Sequence, residues 1–372
     1  MASASAAYDP RGTNPFTPAF GRIPAYMAGR EQIIDDMAAA FRFGGANPDL
    51  CSIFVGARGT GKTALLSYLA LEAEANGWIA ANVTASPRML EEIEECVTRE
   101  GAHLLEADNA PRLTSIGIAP IGSVSWENVP AASAGWRQRM NTLLDQLDRT
   151  DTGLLITVDE VDPSLDEMTE LVATYQHFVR ENRKVALLMA GLPHRVSSLL
   201  SGKSTSFLRR AARHDLGSIP RYEVEDAFRL TAQKGGRDID DDALERAADA
   251  IGGFPFMFQL VGYRAWNAAG TSDALDIKSI DRGVRLAQEE LAARVFDATW
   301  AELSGADQAF ARAMARDVGA TSRADLTARL GKSSSHVSTY KKRLLEAGVI
   351  EEPQRGTFTF ALPGFAEYVR AR

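Results

Sequence analysis

Cysteine is scarce, with two residues in a chain of 372. Cys51 lies in an apolar run and Cys96 in a helical stretch, without the paired spacing of a zinc site, so neither a disulfide framework nor a structural zinc is expected. No segment approaches the ~18 unbroken apolar residues of a membrane-spanning helix. The first residues, Met1 to Pro10, lack the basic and apolar regions of a secretion signal. A cytoplasmic location with no membrane partner is expected. Lysine is sparse, 8 against 33 arginines, a bias that points to no function. An overall positive charge is absent too. The net charge of −8 argues against a chain that wraps nucleic acid along its whole length, but leaves room for one basic module, because screening keeps phosphate attraction local. No internal repeat is visible.

The 45% apolar and 24% charged residues belong to a globular protein, and the length predicts two or three domains. The stretch that organises them is Gly56-Ala57-Arg58-Gly59-Thr60-Gly61-Lys62-Thr63. An apolar run, Leu50 to Val55, precedes it and a helical pattern from Ala64 to Glu74 follows, the strand-loop-helix context of a phosphate-binding loop. The glycines allow successive N–H groups to turn inward at a helix N-terminus, which makes an anion site. Lys62 is then placed for the β- and γ-phosphates of ATP, and the Thr63 hydroxyl for Mg²⁺. A glycine turn that merely precedes a helix is the competing reading.

Leu154 to Val158 reads as a strand buried on both faces, and it ends on Asp159-Glu160. Paired carboxylates closing a buried strand cost desolvation unless they serve a ligand. Asp159 suits the Mg²⁺ shell and Glu160 the base that orients an attacking water; solvated acids at a strand end are the alternative. Further strands are expected at Trp78 to Val83, Lys184 to Ala190 and, briefly, Leu216 to Ile219. Arg112 to Trp126 reads as an inserted hairpin or an irregular loop. The segment 1–28 should run extended, with Phe16, Phe20 and Tyr26 docking it. The fold class is therefore α/β: a P-loop parallel sheet over 29–220, a helical lid and connector over 221–295, then a winged helix-turn-helix over 296–372.

That last unit carries 11 Lys plus Arg and 7 Asp plus Glu from Ser304 to Arg372, a net of +4, leaving −12 for the rest. A basic appendage on an acidic body suits double-stranded DNA. Ser335, Ser338, Thr339 and Lys342 are candidates for the groove-facing surface and Arg355, at the hairpin tip, for phosphate; Val337 and Leu344 should be buried. A module that binds a protein partner, or packs on the ATPase, is the competing reading.

Taken in order, Gly29-Arg30-Glu31, the phosphate loop, Val158-Asp159-Glu160, the lid and the C-terminal winged helix resemble AAA+ ATPases of the origin-recognition and archaeal-initiator type, over about residues 16 to 365. The resemblance implies ATP bound between sheet and lid, with Ile23, Pro24, Gly29 and Arg30 near the base, Ala64 closing the loop, and DNA contacted by the winged helix. It also places Arg209 and Arg210 where an arginine finger would lie, which implies an ATP-dependent homo-oligomer if they act on a neighbour; a solvated basic pair is the other reading. Met189-Ala190-Gly191 offers no polar sensor at the strand end, so turnover should be slow. Gly253 is followed by Phe254-Pro255-Phe256 where the initiators place a lid arginine. The Ala-Gly-Leu-Pro and Gly-Phe-Pro-Phe stretches also resemble signal-transduction ATPases that use ATP or ADP as a switch.

Overall fold

The structure, a computed structural model, describes residues 13–19, 21–45, 47–108 and 135–372, the side chains of 103–108 excepted. Phe20 and the expected hairpin at 112–126 lie outside the described residues. The chain forms two compact units.

One unit comprises Gln32–Val55 and Leu65–Asp215. Its elements are α1 (Glu31–Phe43), β1 (Cys51–Val55), α2 (Lys62–Ala75), β2 (Trp78–Thr84), α3 (Met89–Asp108), α4 (Trp136–Asp148), β3 (Gly153–Asp159), α5 (Asp166–Arg180), β4 (Val185–Gly191), α6 (Pro193–Ser201) and β5 (Ala212–Asp215). The five strands pair in the order β2-β3-β4-β1-β5, all parallel. Parallel strands covered on both faces read as continuous apolar runs, and here Leu154, Leu155, Ile156 and Val158 are fully buried, as is all of β4. Trp136 of α4 links three helices: its ring lies 6.4 Å from Phe178 of α5, tilted by 51°, and its indole N–H donates to the Leu90 carbonyl of α3 at 3.0 Å.

The register sets out what stands at each sheet edge. Val55 pairs with Gly191 and Val158 with Met189, so β1, β4 and β3 end together at the carboxyl edge. β1 sits between β4 and β5 instead of beside β2, and such a reversal of strand order is where open α/β sheets bind ligands.

The expected strand at Leu216 to Ile219 is corrected: the fifth strand is Ala212–Asp215, and 216–219 is irregular. The pattern misled because β5 is an edge strand. It exposes Arg213 and Asp215 and alternates with half-buried residues, whereas Leu216 and Ile219 are buried without joining the ladder.

The second unit takes the described residues up to Glu31, then Gly56–Ala64 and Leu216–Arg372. It contains α7 (Arg221–Lys234), β6 (Asp238–Ile239), α8 (Asp241–Ile251), α9 (Pro255–Ala268), β7 (Ala274–Leu275), α10 (Ile277–Leu291), α11 (Asp297–Glu302), α12 (Gly305–Met314), β8 (Thr321–Ser322), α13 (Arg323–Leu330), α14 (Ser334–Glu346), β9 (Ile350–Gln354), β10 (Thr357–Phe360) and α15 (Phe365–Arg370). Local chemistry sets the boundaries. Asp240, Ser304 and Ser322 each accept the N–H three residues on as N-caps, and Gly252 and Gly331 end helices with φ near +57° and +58°.

A single apolar cluster runs from Phe16 through α7–α10 to Phe296 and Trp300, and on to Phe310, Phe358 and Phe365 of the C-terminal module. Phe16 is fully buried 4.9 Å from the Phe228 ring, worth about 2 kcal/mol of burial, which docks the N-terminal segment on α7. In the C-terminal module α12, α13 and α14 precede an antiparallel β9-β10 hairpin, to which β8 adds a third strand. No helix among the described residues is long and apolar enough to cross a membrane.

Candidate functional site

Chain continuity puts the glycine-rich loop directly after β1, at the carboxyl edge of the sheet, and at the start of α2. Gly59 and Gly61 adopt φ of +79° and +86°, angles that an L side chain resists. Thr60 donates its hydroxyl to the Ala57 carbonyl at 2.9 Å, and Lys62 Nζ donates to the carbonyls of Gly56 and Ala57 at 2.8 and 2.6 Å. Thr63 and Ala64 are half-buried in the first turn of α2, while Arg58 is exposed. The loop thus folds around its own lysine, with its tip residues Arg58 and Gly59 open to solvent.

At the same edge of the sheet unit, Asp159 is half-buried at the end of β3 and its carboxylate accepts the Glu160 N–H at 2.9 Å. Glu160 is exposed and has φ of +53°. A non-glycine residue held in this region costs of order 1 kcal/mol and marks functional sites more often than ordinary loops. The strand that follows, β4, ends Met189-Ala190-Gly191, and a Cβ on Gly191 would fall 2.5 Å from Val161, so packing keeps this strand end small.

The remaining candidates scatter. Arg30 is buried and does not present its guanidinium to open space. It donates to the main-chain carbonyls of Gly29, Thr60 and Gly217 at 2.8, 3.4 and 3.2 Å. Burial lowers its pKa, opposed by the nearby Glu223 carboxylate. Gly29 has φ of +70° and faces Ile219 and Glu223; Ile23 and Pro24 are half-buried. Arg209 and Arg210 are exposed, the former bonding the Leu200 carbonyl at 2.9 Å. They precede β5 at the amino edge of the sheet, opposite the edge that carries Asp159. Cys51 is inert as a nucleophile, since burial pushes its thiol up to about 12.

In the C-terminal module Val337 and Leu344 are fully buried, while Ser335, His336, Thr339 and Lys342 face solvent. Ser338 is half-buried and its hydroxyl is occupied: Arg323 donates to it at 2.5 Å, and it donates in turn to the Ser334 carbonyl at 2.9 Å. Arg323 therefore presents the charge where sequence placed a serine. Lys341 pairs with Glu352 at 2.9 Å, and Tyr340 packs on the core beside it. Arg355 at the hairpin tip and Lys332 before α14 are exposed. On β9, burial raises the Glu351 pKa and the Lys62 ammonium of the glycine-rich loop lowers it, so this acid of the hairpin lies within electrostatic reach of the loop.

Solved structures share this architecture. The Walker-type ATPase PABY2304 of Pyrococcus abyssi superposes with a TM-score of 0.66 at 12% identity, covering 92% of this chain and 96% of that one. The Aeropyrum pernix ORC2 protein, in ADPNP–ADP complexes, superposes with a TM-score of 0.61 at 15% identity, over 95% and 96% of the two chains. The fold is that of the ORC/Cdc6-like AAA+ P-loop ATPases. A family model described as "Domain of unknown function (DUF8462)" matches residues 293–369, the C-terminal module alone. No curated protein matches the chain.

Proposed function

We propose that this chain is an ATP-binding, slowly ATP-hydrolysing protein whose nucleotide state positions a C-terminal winged helix on double-stranded DNA. The observation that carries the nucleotide half is the glycine-rich loop, with two positive-φ glycines, between β1 and α2. Lys62 would bind the β- and γ-phosphates and the loop amides of 57–63 their oxygens. Thr63 and Asp159 would hold Mg²⁺, which neutralises charge developing on the transferred phosphoryl group. Glu160 would orient the water. The main-chain engagement of Arg30 supports a role in holding the loop in preference to one at the base. Arg209 and Arg210, at the opposite sheet edge, would act only toward a second copy.

For the DNA half, the supporting observation is that α14 leaves Ser335, Thr339 and Lys342 open, flanked by exposed Arg323, Lys332 and Arg355. Titrating the full chain with a duplex at several salt concentrations tests it. Affinity should fall with a log–log slope of roughly one per phosphate contact, and should differ between ADP and a non-hydrolysable ATP analogue. A flat salt response would move the assignment to the second reading, a nucleotide-controlled switch whose winged helix binds a protein. That reading draws on the continuous apolar cluster joining lid and winged helix, and on the approach of Glu351 to Lys62.

A further inference from the structure

The phosphate loop is gripped from two sides by residues its motif does not include. On one side the Arg30 guanidinium spans the carbonyls of Gly29, Thr60 and Gly217, and is bonded to no carboxylate among the described residues. A buried cation bonded only to main chain is expensive, and Glu223 offsets the cost only from a distance. On the other side lies the ring of Phe254, buried at the head of α9. A Cβ added to Gly59 would fall 2.4 Å from the Phe254 Cζ. Gly59 must therefore be glycine twice over, for its φ and for the ring.

The irregular segment 216–219 joins the two sides. The Leu216 carbonyl oxygen is 2.9 Å from where a Gly56 Cβ would stand, and the Ile219 N–H donates to the Gly253 carbonyl at 2.8 Å. Gly253 in turn precedes Phe254. The lid thus meets the loop through main chain and an aromatic ring. An anion that draws in the amides at 59–63 would change the contact between Gly59 and the ring, and Phe254, as the N-cap of α9, ties that contact to the helix.

We propose that Arg30 and Phe254 are positioning residues for the phosphate loop, and that through Phe254 the lid registers closure of the loop on a polyphosphate whether or not a third phosphate is present. The second clause rests on the nucleotide-binding reading above; the first does not.

Amide hydrogen exchange on the full chain without nucleotide tests the first clause. Phe254→Ala and Arg30→Ala should each speed exchange at residues 59–63 by about tenfold and leave β3 protected. Arg30→Lys should fail to restore protection, because one ammonium cannot span three carbonyls. Unchanged loop exchange in either alanine variant, or full rescue by lysine, would overturn it. If Phe254→Ala also loses protection in β3, Phe254→Leu decides: it keeps apolar bulk without the ring edge, so intact loop protection there would count against the ring. The second clause is read with fluorescent ADP and ATP. Phe254→Ala should accelerate release of both by the same factor, about tenfold, and acceleration for ATP alone would contradict it. A wild-type chain that binds neither would defeat the nucleotide reading and the sensing clause together, while loop exchange still judges the grip.

Discussion

The phosphate loop and the exposed face of α14 belong to one compact unit and both present cations, yet they are prepared in opposite ways. In the loop, Lys62 is pinned between the carbonyls of Gly56 and Ala57, and the backbone is committed to angles that only glycine tolerates. On α14 Ser335, Thr339 and Lys342 are exposed to solvent, and neighbouring Lys332 and Arg355 have no ion-pair partner among the described residues. A preorganised cradle concentrates binding energy in few groups and resists salt, whereas a solvated cationic face spreads it over many and yields to salt. Single substitutions should therefore be severe at the first and graded at the second.

Four experiments sharpen or break that contrast. The largest effect is expected at the acidic pair. Glu160→Gln should retain ATP binding and lose roughly 10²–10⁴-fold in turnover, measured as phosphate release at saturating ATP. Normal hydrolysis would remove Glu160 from the mechanism.

Next is the ion pair that anchors α14. Asp307 is buried, accepts a 2.6 Å bond from Ser304 Oγ, and holds Arg343 of α14 at 2.5 Å. Asp307→Ala should cost roughly 2 kcal/mol in denaturant unfolding, less than for a fully buried pair because Arg343 is half exposed. A loss confined to DNA affinity, with unchanged stability, would mean that Asp307 does not fix the helix.

On the exposed face, Lys332→Ala with Arg355→Ala should lower the salt slope of duplex binding by about two and weaken all sequences alike. Sequence-selective loss would instead place these side chains against bases.

The smallest effect concerns pH. His214 stacks on Phe54 at 5.1 Å, its Nε2 has no hydrogen-bond partner among the described residues, and burial lowers its pKa against the pull of Asp49, Asp36 and Asp215. The folded state then releases its proton more readily than the unfolded one. This neutral imidazole keeps its full contribution above the ordinary pKa near ~6.5, and stability falls as pH drops through that value. His214→Phe should flatten the loss between pH 7 and 5 in a thermal scan; an unchanged profile would assign it to other groups.

Much of this molecule was legible from local pattern. The buried strands, the glycine loop, the acid pair and the helix–hairpin order of the C-terminal module all announce themselves within a dozen residues, because burial period and cap chemistry are local. The roles that depend on distant partners did not. Nothing near Arg30 indicates that its guanidinium bonds a carbonyl 187 positions away, nor does the sequence around Ser338 betray Arg323. Phe254 was visible as a departure from a lid arginine, but its contact with Gly59 required the fold. β5 was displaced by four residues because an edge strand carries polar side chains where a central one cannot.

The central claim is that a nucleoside triphosphate is gripped by the loop at 56–63. Equilibrium titration of fluorescent ATP with Mg²⁺ into the wild-type chain and into Lys62→Ala tests it most directly. The expected result is saturable wild-type binding weakened by about 100-fold or more in the variant. Equal affinity in the two proteins would contradict it.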